Sequence, residues 1–196
     1  MGEMIPSFTE KSIRYFDKPG PINTKKVCEL VAAKVREGIK HVVVTSSAGS
    51  TALMMAEHLK GLDAKLIVFT IPPAWKSSHP TIKGETKEKL NSLGAKTMEK
   101  ATPAIECGPD SIECACSQTD KRQTDTFGIW EILHGIGGQG FPTAVEAVFT
   151  AVKEGKVTVG SQVIGAAGTG CGLDTAIVMK ATPYEQMLSG PIENRF

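Results

Sequence analysis

The sequence predicts an α/β protein of three layers (α/β/α), in which helices cover both faces of a mostly parallel mixed sheet with an antiparallel edge strand. Two observations support this prediction. Apolar runs of strand length alternate with helical periodicities of ten or more residues, and parallel strands need crossovers of that length. The last two apolar runs are instead joined by a short glycine-rich loop, which predicts a hairpin at the edge of the sheet.

The first half of the chain predicts two helices and two strands in alternation. Each helix has apolar residues spaced by three and four, and a glycine follows its end. Each strand is a short apolar run, and two prolines stop the second one. In chain order these elements are a helix that begins at Asn23 or Thr24 and ends before Gly38, a strand over His41 to Thr45, a helix over Gly49 to Leu59 and a strand over Lys65 to Thr70.

The second half predicts three more helices and three more strands. The pattern is weak from Ala101 to Gln123, and no element is predicted there. The most strongly periodic helix is opened by a proline, which suits the first helical turn. The predicted elements are a helix over Glu85 to Leu93, a short edge strand over Ala95 to Met98, a helix over Thr126 to His134, a helix from Pro142 to Gly155, and strands over Gln162 to Ala166 and Thr175 to Met179.

Length and composition narrow the class of protein. A chain of 196 residues can bury one sizeable core, so we predict a single domain over 1–196, with 1–22 as an N-terminal extension. The 22 basic and 21 acidic side chains give a formal net charge of +1, so a nucleic-acid partner is not expected. No apolar run approaches the roughly 20 residues of a membrane span, and the start does not resemble a secretory signal. We therefore expect a cytoplasmic protein without a membrane partner.

The five cysteines predict neither a disulfide framework nor a metal site. An odd number of cysteines in a chain of this size suits a reducing cytoplasm. The spacing of Cys107, Cys114 and Cys116 is not a usual zinc pattern, and no fourth ligand lies nearby. No metal is therefore predicted, and the roles of these three cysteines are left open.

Small hydroxyl and glycine residues crowd the corner between the first predicted strand and the helix that follows it. A capped tight turn needs one or two such residues, whereas the segment TSSAGST supplies six. The start of a helix also presents unpaired N–H groups and the positive end of its dipole. We therefore predict a phosphate-binding loop, with a capped turn as the alternative. The six residues are Thr45, Ser46, Ser47, Gly49, Ser50 and Thr51.

A second loop of small residues, GAAGTGCG, follows the strand at Gln162 to Ala166. If the two strands are neighbours, both loops border one crevice at the carboxyl ends of the strands, where open α/β sheets bind ligands. Neither loop matches GxGxxG before a helix or GxxxxGK[ST], so we expect a single phosphate group and no dinucleotide or P-loop nucleotide. The further residues assigned to the crevice are Gly168, Thr169, Gly170 and Asp174, with Gly138 and Gly140 from the segment GIGGQG.

Other side chains are candidates for stacking or for chemistry. Trp75 lies on the polar loop after the second strand, where it can stack on a flat ring or pack over a helix. His134 and Cys171, together with Asp174, are the groups that an enzyme would use. No Ser-His-Asp set and no pair of carboxylates at a catalytic separation can be picked out.

The two loops resemble those of the C-terminal α/β domain of pyruvate kinase, which in many members holds a sugar-bisphosphate effector. The T-x-S-G-x-S/T-A loop of that domain is similar to Thr45 to Ala52, with one inserted small residue, and its G-x-G-x-T-N segment is similar to Gly168 to Thr175. The resemblance covers about residues 23–70 and 142–180. The catalytic (β/α)8 barrel is missing, so pyruvate kinase activity is not expected.

The sequence also resembles, end to end, a group of stand-alone proteins that are similar to this domain and have no assigned reaction. The segments that carry the resemblance are YFDKPG, HVVVTSSAGSTA, GGQG and GAAGTGCGLDTA. The resemblance implies a crevice associated with flavin mononucleotide (FMN), and a homo-oligomer. We expect a domain that binds a phosphate-bearing small molecule, either FMN or a sugar-phosphate-like ligand. The alternatives are a flavin-dependent or phosphosugar-converting enzyme and an oligomeric interaction subunit.

Overall fold

The computed structural model describes residues 11–71, 80–98, 131–183 and 186. The helices are α1 (Thr24–Arg36), α2 (Ser50–Leu59), α3 (Gly84–Ser92) and α4 (Gly140–Lys153). The strands are β1 (His41–Thr45), β2 (Lys65–Phe69), β3 (Lys96–Met98), β4 (Gln162–Ala167) and β5 (Thr175–Lys180). A short 3-10 helix over Pro21–Asn23 leads into α1, and a helical segment at 131–137 precedes α4.

The strands form one mixed sheet in the order β3-β2-β1-β4-β5. β1 pairs in parallel with β2 and β4, β2 pairs in parallel with β3, and β5 runs antiparallel to β4. The predicted α/β fold and its final hairpin are confirmed. The sequence left open whether β1 and β4 are neighbours, and the structure shows that they are. The strand order reverses between β1 and β4, so the topological switch point of the sheet lies at the carboxyl ends of these two strands.

The core has one part on each face of the sheet. Helices α1, α2 and α3 pack on one face, where they meet Val42 and Val44 of β1. Helix α4 packs on the other face, where it meets Val43. Successive side chains of a strand point to opposite faces, so the continuous apolar run of β1 serves both parts of the core.

The helical segment before α4 shows the largest difference from the predicted boundaries. A helix was expected over 126–134, whereas 131–137 is helical and 126–130 lies outside the described residues. Gly138 stops the segment with a left-handed φ of 73° and donates its N–H to the carbonyl oxygen of His134 at 2.8 Å. Helix α4 then begins at Gly140, two residues before the predicted start at Pro142.

Candidate functional site

The loops after β1 and β4 lie side by side at the carboxyl end of the sheet. In the parallel pairing of these strands Val44 lies opposite Ala166, so the two loops begin at the same level. Neighbouring strands are about 4.8 Å apart. The two segments of small residues therefore begin next to each other, and we call the region between them the crevice.

Two of the hydroxyl groups in the loop after β1 stabilise the loop itself. Ser46 is buried, and its Oγ accepts hydrogen bonds from the N–H of Gly49 at 3.1 Å and from the hydroxyl of Thr51 at 2.7 Å. The Thr51 hydroxyl also lies 3.2 Å from the carbonyl oxygen of Thr45, the last residue of β1. Ser46 and Thr51 thus do what the capped-turn alternative predicts, which is to hold the corner in shape.

Gly49 is the N-cap of α2, and its position requires glycine. Its φ is 91°, in the left-handed region, and a Cβ would lie 2.5 Å from Cγ2 of Thr86 at the start of α3. Glycine has no side-chain oxygen that could accept a hydrogen bond from the first turn of α2, and that turn contains no acidic residue. The start of α2 is therefore left without a negative group from the cap or the first turn.

The loop contains two further serines, Ser47 and Ser50. Ser50 is exposed and Ser47 is partly buried. Among the described residues, no hydrogen bond engages either hydroxyl group. These two side chains and the N–H groups at the start of α2 are the candidate donors on this side of the crevice.

Asp174 joins three segments on the other side of the crevice. Its Oδ2 accepts hydrogen bonds from the N–H of Gly20 at 2.8 Å and of Thr169 at 3.0 Å, and its Oδ1 accepts one from the hydroxyl of Thr175 at 2.9 Å. Partial burial by itself would raise the pKa of Asp174, but these hydrogen bonds outweigh it and hold the pKa below its ordinary value. The carboxyl group is therefore ionised at neutral pH.

The start of α1 braces the loop after β4. The N–H of Leu173 donates to Oγ1 of Thr24 at 2.9 Å, and a Cβ on Gly172 would overlap Pro21. Gly168 lies so close to the carbonyl group of Gly172 that it has no room for a side chain, which closes the loop on itself. Gly172 has a left-handed φ of 77°, so both space and conformation require glycine there.

The two glycines assigned to the crevice before α4 have different surroundings. Gly138 is exposed, and a Cβ there would meet nothing within 4 Å, so the turn alone explains it. Gly140 is buried, and a Cβ there would overlap Oγ1 of Thr175 and lie 2.8 Å from Oδ1 of Asp174. Helix α4 therefore begins against the Asp174 carboxylate, a favourable place for a negative charge.

The side chains that could take part in enzyme chemistry lie in separate segments of the chain. Cys171 is exposed in the loop after β4, next to Gly170, whose φ is 72°. His134 is exposed on the segment at 131–137. Cys28 is buried in the core, and burial raises the pKa of its thiol to about 12, so it stays protonated.

Trp75, a candidate for stacking on a ligand, lies outside the described part of the chain. Cys107, Cys114 and Cys116, whose roles the sequence left open, also lie outside it. In the segments that are described, no three His, Cys, Asp or Glu side chains are placed to hold a metal ion.

Gly20 and Thr24 support the site but were not among the residues assigned from the sequence. Gly20 donates to Asp174, which lies 154 positions further along the chain. The signals for Gly20 were the break at Pro19-Gly20-Pro21 and its place in the segment YFDKPG, and neither signal identifies the residue that Gly20 contacts.

The fold is that of an α/β protein with a mixed sheet, in which two loops of small residues begin side by side at the switch point. No family model matches the sequence. Among solved structures, the chain is similar to the crystal structure of a pyruvate kinase from Cryptosporidium parvum, with 14% sequence identity and a TM-score of 0.41. The likeness covers 84% of this chain and 24% of the pyruvate kinase chain, so this chain spans about a quarter of that protein's length. Within the described residues, no helix is both long and apolar enough to cross a membrane.

Proposed function

We propose that the chain is a binding domain for a small molecule that carries a phosphate group, and that the phosphate lies at the start of α2. The observation that carries this proposal is the construction of that helix start. Its N-cap is the left-handed Gly49 without a side chain, its first turn contains no acidic residue, and it lies at the switch point of the sheet.

The start of α2 suits an anion from a ligand, because no side chain of the helix cap accepts hydrogen bonds from its first turn. The first N–H groups of a helix have no acceptor within the helix, and its dipole favours a negative charge there by about 0.3–1 kcal/mol, or up to about 2 kcal/mol where partly buried. The hydroxyl groups of Ser47 and Ser50 add neutral donors at the same corner. A phosphate group accepts hydrogen bonds both from backbone N–H groups at a helix start and from hydroxyl groups.

The remainder of the ligand extends across the crevice toward the loop that contains Gly168, Thr169 and Gly170. FMN and sugar phosphates both join a phosphate to a chain of hydroxyl groups, which suits a loop of backbone donors and acceptors. The similarity of Thr45 to Ala52 and of Gly168 to Thr175 to the pyruvate kinase C-terminal domain supports a further part of the proposal. We propose further that the chain is a stand-alone relative of this domain and that it does not catalyse the pyruvate kinase reaction.

The Ser50→Glu variant tests the position of the phosphate. Ser50 is exposed, so the new side chain has room, and its carboxylate would occupy the positive end of α2. We expect the affinity for FMN and for fructose 6-phosphate to fall at least tenfold, while the free energy of unfolding stays equal or rises slightly. Calorimetric titration measures the affinity, and urea denaturation measures the stability.

The matched control is Ser92→Glu, which makes the same charge change at the last residue of α3, at the opposite end of the sheet. This control should bind like the wild type. The proposal is wrong if inorganic phosphate, FMN and sugar phosphates all fail to bind the wild type at millimolar concentration, or if Ser50→Glu binds them undiminished.

A second candidate function, an oligomeric interaction subunit, is favoured by β5, which is the last strand of the sheet among the described residues. Its sequence, TAIVMK, has no proline or glycine and only one charge, at its end. Ala176 is exposed, and Val178 is 43% exposed. Natural proteins usually protect such an edge with a charge, a proline or a bulge. A second copy of the chain offers the same edge, so two copies can pair strand to strand about a two-fold axis.

The Val178→Lys variant tests this second candidate. A lysine in the middle of β5 is one of the devices that keep an edge strand unpaired. We expect the wild type to form a defined oligomer in light scattering and Val178→Lys to be a monomer. Val159→Lys, at a position 55% exposed and outside the strands, should leave the oligomer unchanged. A monomeric wild type would rule out the pairing.

A further inference from the structure

We propose that the end of the molecule opposite the crevice binds the surface of an anionic lipid bilayer by electrostatic attraction. This goes beyond the proposed function, because it concerns a different part of the molecule and needs no ligand in the crevice. The observation that carries the proposal is the distribution of charged side chains in the fold.

The four parallel strands all begin at one end of the sheet, and the four labelled helices all end there. Strand β5 runs antiparallel to β4, so its last residue, Lys180, lies at the same end. We call this part of the molecule the basic end. It reaches from the last turn of each helix to the first residue of the following strand, and it comprises residues 33–41, 56–65, 89–96 and 150–162 together with Lys180.

The basic end has a large excess of positive charge, although the whole chain is nearly neutral. It contains ten lysine and arginine residues and four glutamate and aspartate residues, a formal excess of six positive charges. The whole chain has 22 basic and 21 acidic side chains, so 12 basic and 17 acidic side chains remain for all other residues. The net charge of +1 therefore conceals a positive end and a negative remainder.

Ion pairs neutralise only a small part of this charge. Lys34 pairs with Glu37 and Lys40 pairs with Asp63, in both cases with Nζ and a carboxylate oxygen 2.6 Å apart. Among the described residues, no other lysine or arginine of the basic end forms an ion pair. Eight basic side chains are thus left to act on a partner. They are Arg36, Lys60, Lys65, Lys89, Lys96, Lys153, Lys156 and Lys180, of which Lys180 is partly buried and the others are exposed.

The helix dipoles explain half of these unpaired side chains. A positive charge is favourable in the last turn or at the C-cap of a helix. Four of the eight lie at such positions: Arg36, Lys60, Lys89 and Lys153. No helix end accounts for the other four, which lie at strand ends or in the connection before β4: Lys65, Lys96, Lys156 and Lys180.

The arrangement of the charges fits a broad anionic surface better than a nucleic acid. They are spread over all three layers of the fold, from the ends of α1, α2 and α3 across the sheet to the end of α4, and so do not follow a single line of phosphates. Seven of the eight are lysines, which suit a diffuse layer of lipid headgroups, whereas nucleic-acid recognition favours arginine. The basic end also contains no Phe, Tyr or Trp that could stack on a base.

The proposal differs from the sequence-based expectation of no membrane partner. That expectation depended on the absence of an apolar run long enough to span a membrane. Electrostatic attachment to a bilayer surface needs no such run, since a cluster of about four to eight basic residues close to anionic headgroups can supply it.

The test measures binding of the full chain to lipid vesicles by cosedimentation. The vesicles contain phosphatidylcholine with about 30% phosphatidylserine, and vesicles of phosphatidylcholine alone are the uncharged control. At low salt we expect the wild type to bind the anionic vesicles about tenfold more tightly, or better, than the uncharged ones. Binding should weaken steeply as salt is added, because exposed charges are screened.

Two triple variants locate the binding surface. The first, Lys65→Gln with Lys96→Gln and Lys156→Gln, removes three charges of the basic end without altering a helix end, and we expect its affinity for the anionic vesicles to fall about tenfold or more. The matched control, Lys18→Gln with Lys25→Gln and Lys26→Gln, removes the same charge near the start of α1, at the other end of the sheet, and should bind like the wild type. All six side chains are exposed, so both variants should fold, which circular dichroism checks.

Each other outcome would overturn the proposal. Equal binding of the wild type to both kinds of vesicle, or binding to neither, would do so. Equal losses of affinity in the two triple variants would mean that binding follows net charge and not the basic end. If duplex DNA releases the protein from the vesicles at an equal concentration of negative charge, the partner is a nucleic acid. Weaker vesicle binding by Ser50→Glu would mean that lipid headgroups occupy the start of α2, whereas failure of the vesicle test leaves the phosphate site untouched.

Discussion

The Gly165→Val variant is expected to lower the free energy of unfolding by about 3 kcal/mol, because the space beside Gly165 is filled by α4. Gly165 lies in β4, and a Cβ there would be 2.8 Å from the carbonyl oxygen of Ala144 and 2.9 Å from Cγ2 of Val148. Both neighbours are fully buried, and the first contact is with backbone. No side-chain rotation relieves that contact, so the helix must move away from the sheet.

The same shift of α4 would also change the loop after β4. Helix α4 begins at Gly140, which is packed against Asp174, so a displaced helix would weaken the contacts by which Asp174 holds that loop. We therefore expect weaker binding of the phosphate probes as well as lower stability. Urea denaturation followed by circular dichroism measures the stability.

A matched control for this variant is Ala176→Val on the neighbouring strand. Ala176 pairs with Ala166 across the hairpin, but its side chain is exposed, so a valine there should change the free energy of unfolding by no more than about 0.5 kcal/mol. Equal stability of the two variants would contradict the close approach of α4 to β4.

The order and type of the elements could be predicted because they depend on local patterns. Continuous apolar runs with helical periodicities between them indicate parallel strands. These patterns can be recognised in the sequence without knowledge of the fold. The short loop between Gly168 and Gly172 leaves no room for a crossover helix, so the antiparallel β5 followed from chain length alone. The pairing of β1 with β4 was only a condition in that reasoning, and the structure supplied it.

The sequence could not predict which serines of the loop after β1 are buried and which are exposed. Ser46 and Ser50 have the same side chain within one short segment, yet Ser46 is buried as an acceptor and Ser50 is exposed. Which hydroxyl points inward depends on backbone direction around the left-handed Gly49, and composition does not encode that direction.

The contact between Asp174 and Gly20 also could not be predicted from the sequence. Its bonds to Thr169 and Thr175 are local, but the bond to Gly20 spans 154 positions. No periodicity connects residues so far apart. From the sequence, Asp174 could either tie its own loop or bind a ligand hydroxyl. The structure shows that it ties its loop, and the additional bond to Gly20 emerged only from the fold.

The Glu146→Gln variant is expected to be more stable than the wild type at pH 8, by at most about 3 kcal/mol. Glu146 is a partly buried residue of α4, and loss of hydration raises the pKa of its carboxyl group from 4.5 to about 7. Between these two pH values the folded state binds more protons than the unfolded state, so stability falls as pH rises through this window. Each pH unit is worth about 1.4 kcal/mol, which sets the upper bound.

The pH dependence distinguishes this effect from an ordinary packing change. Glutamine cannot ionise, so the advantage of Glu146→Gln should be largest above pH 7 and shrink toward zero below about pH 4.5. Glu154, the C-cap of the same helix, is exposed. Glu154→Gln therefore removes a solvated charge and should not change how the free energy of unfolding varies with pH. Urea denaturation at several pH values measures both variants. Parallel profiles for wild type and Glu146→Gln would mean that the carboxyl group keeps its water in the folded protein.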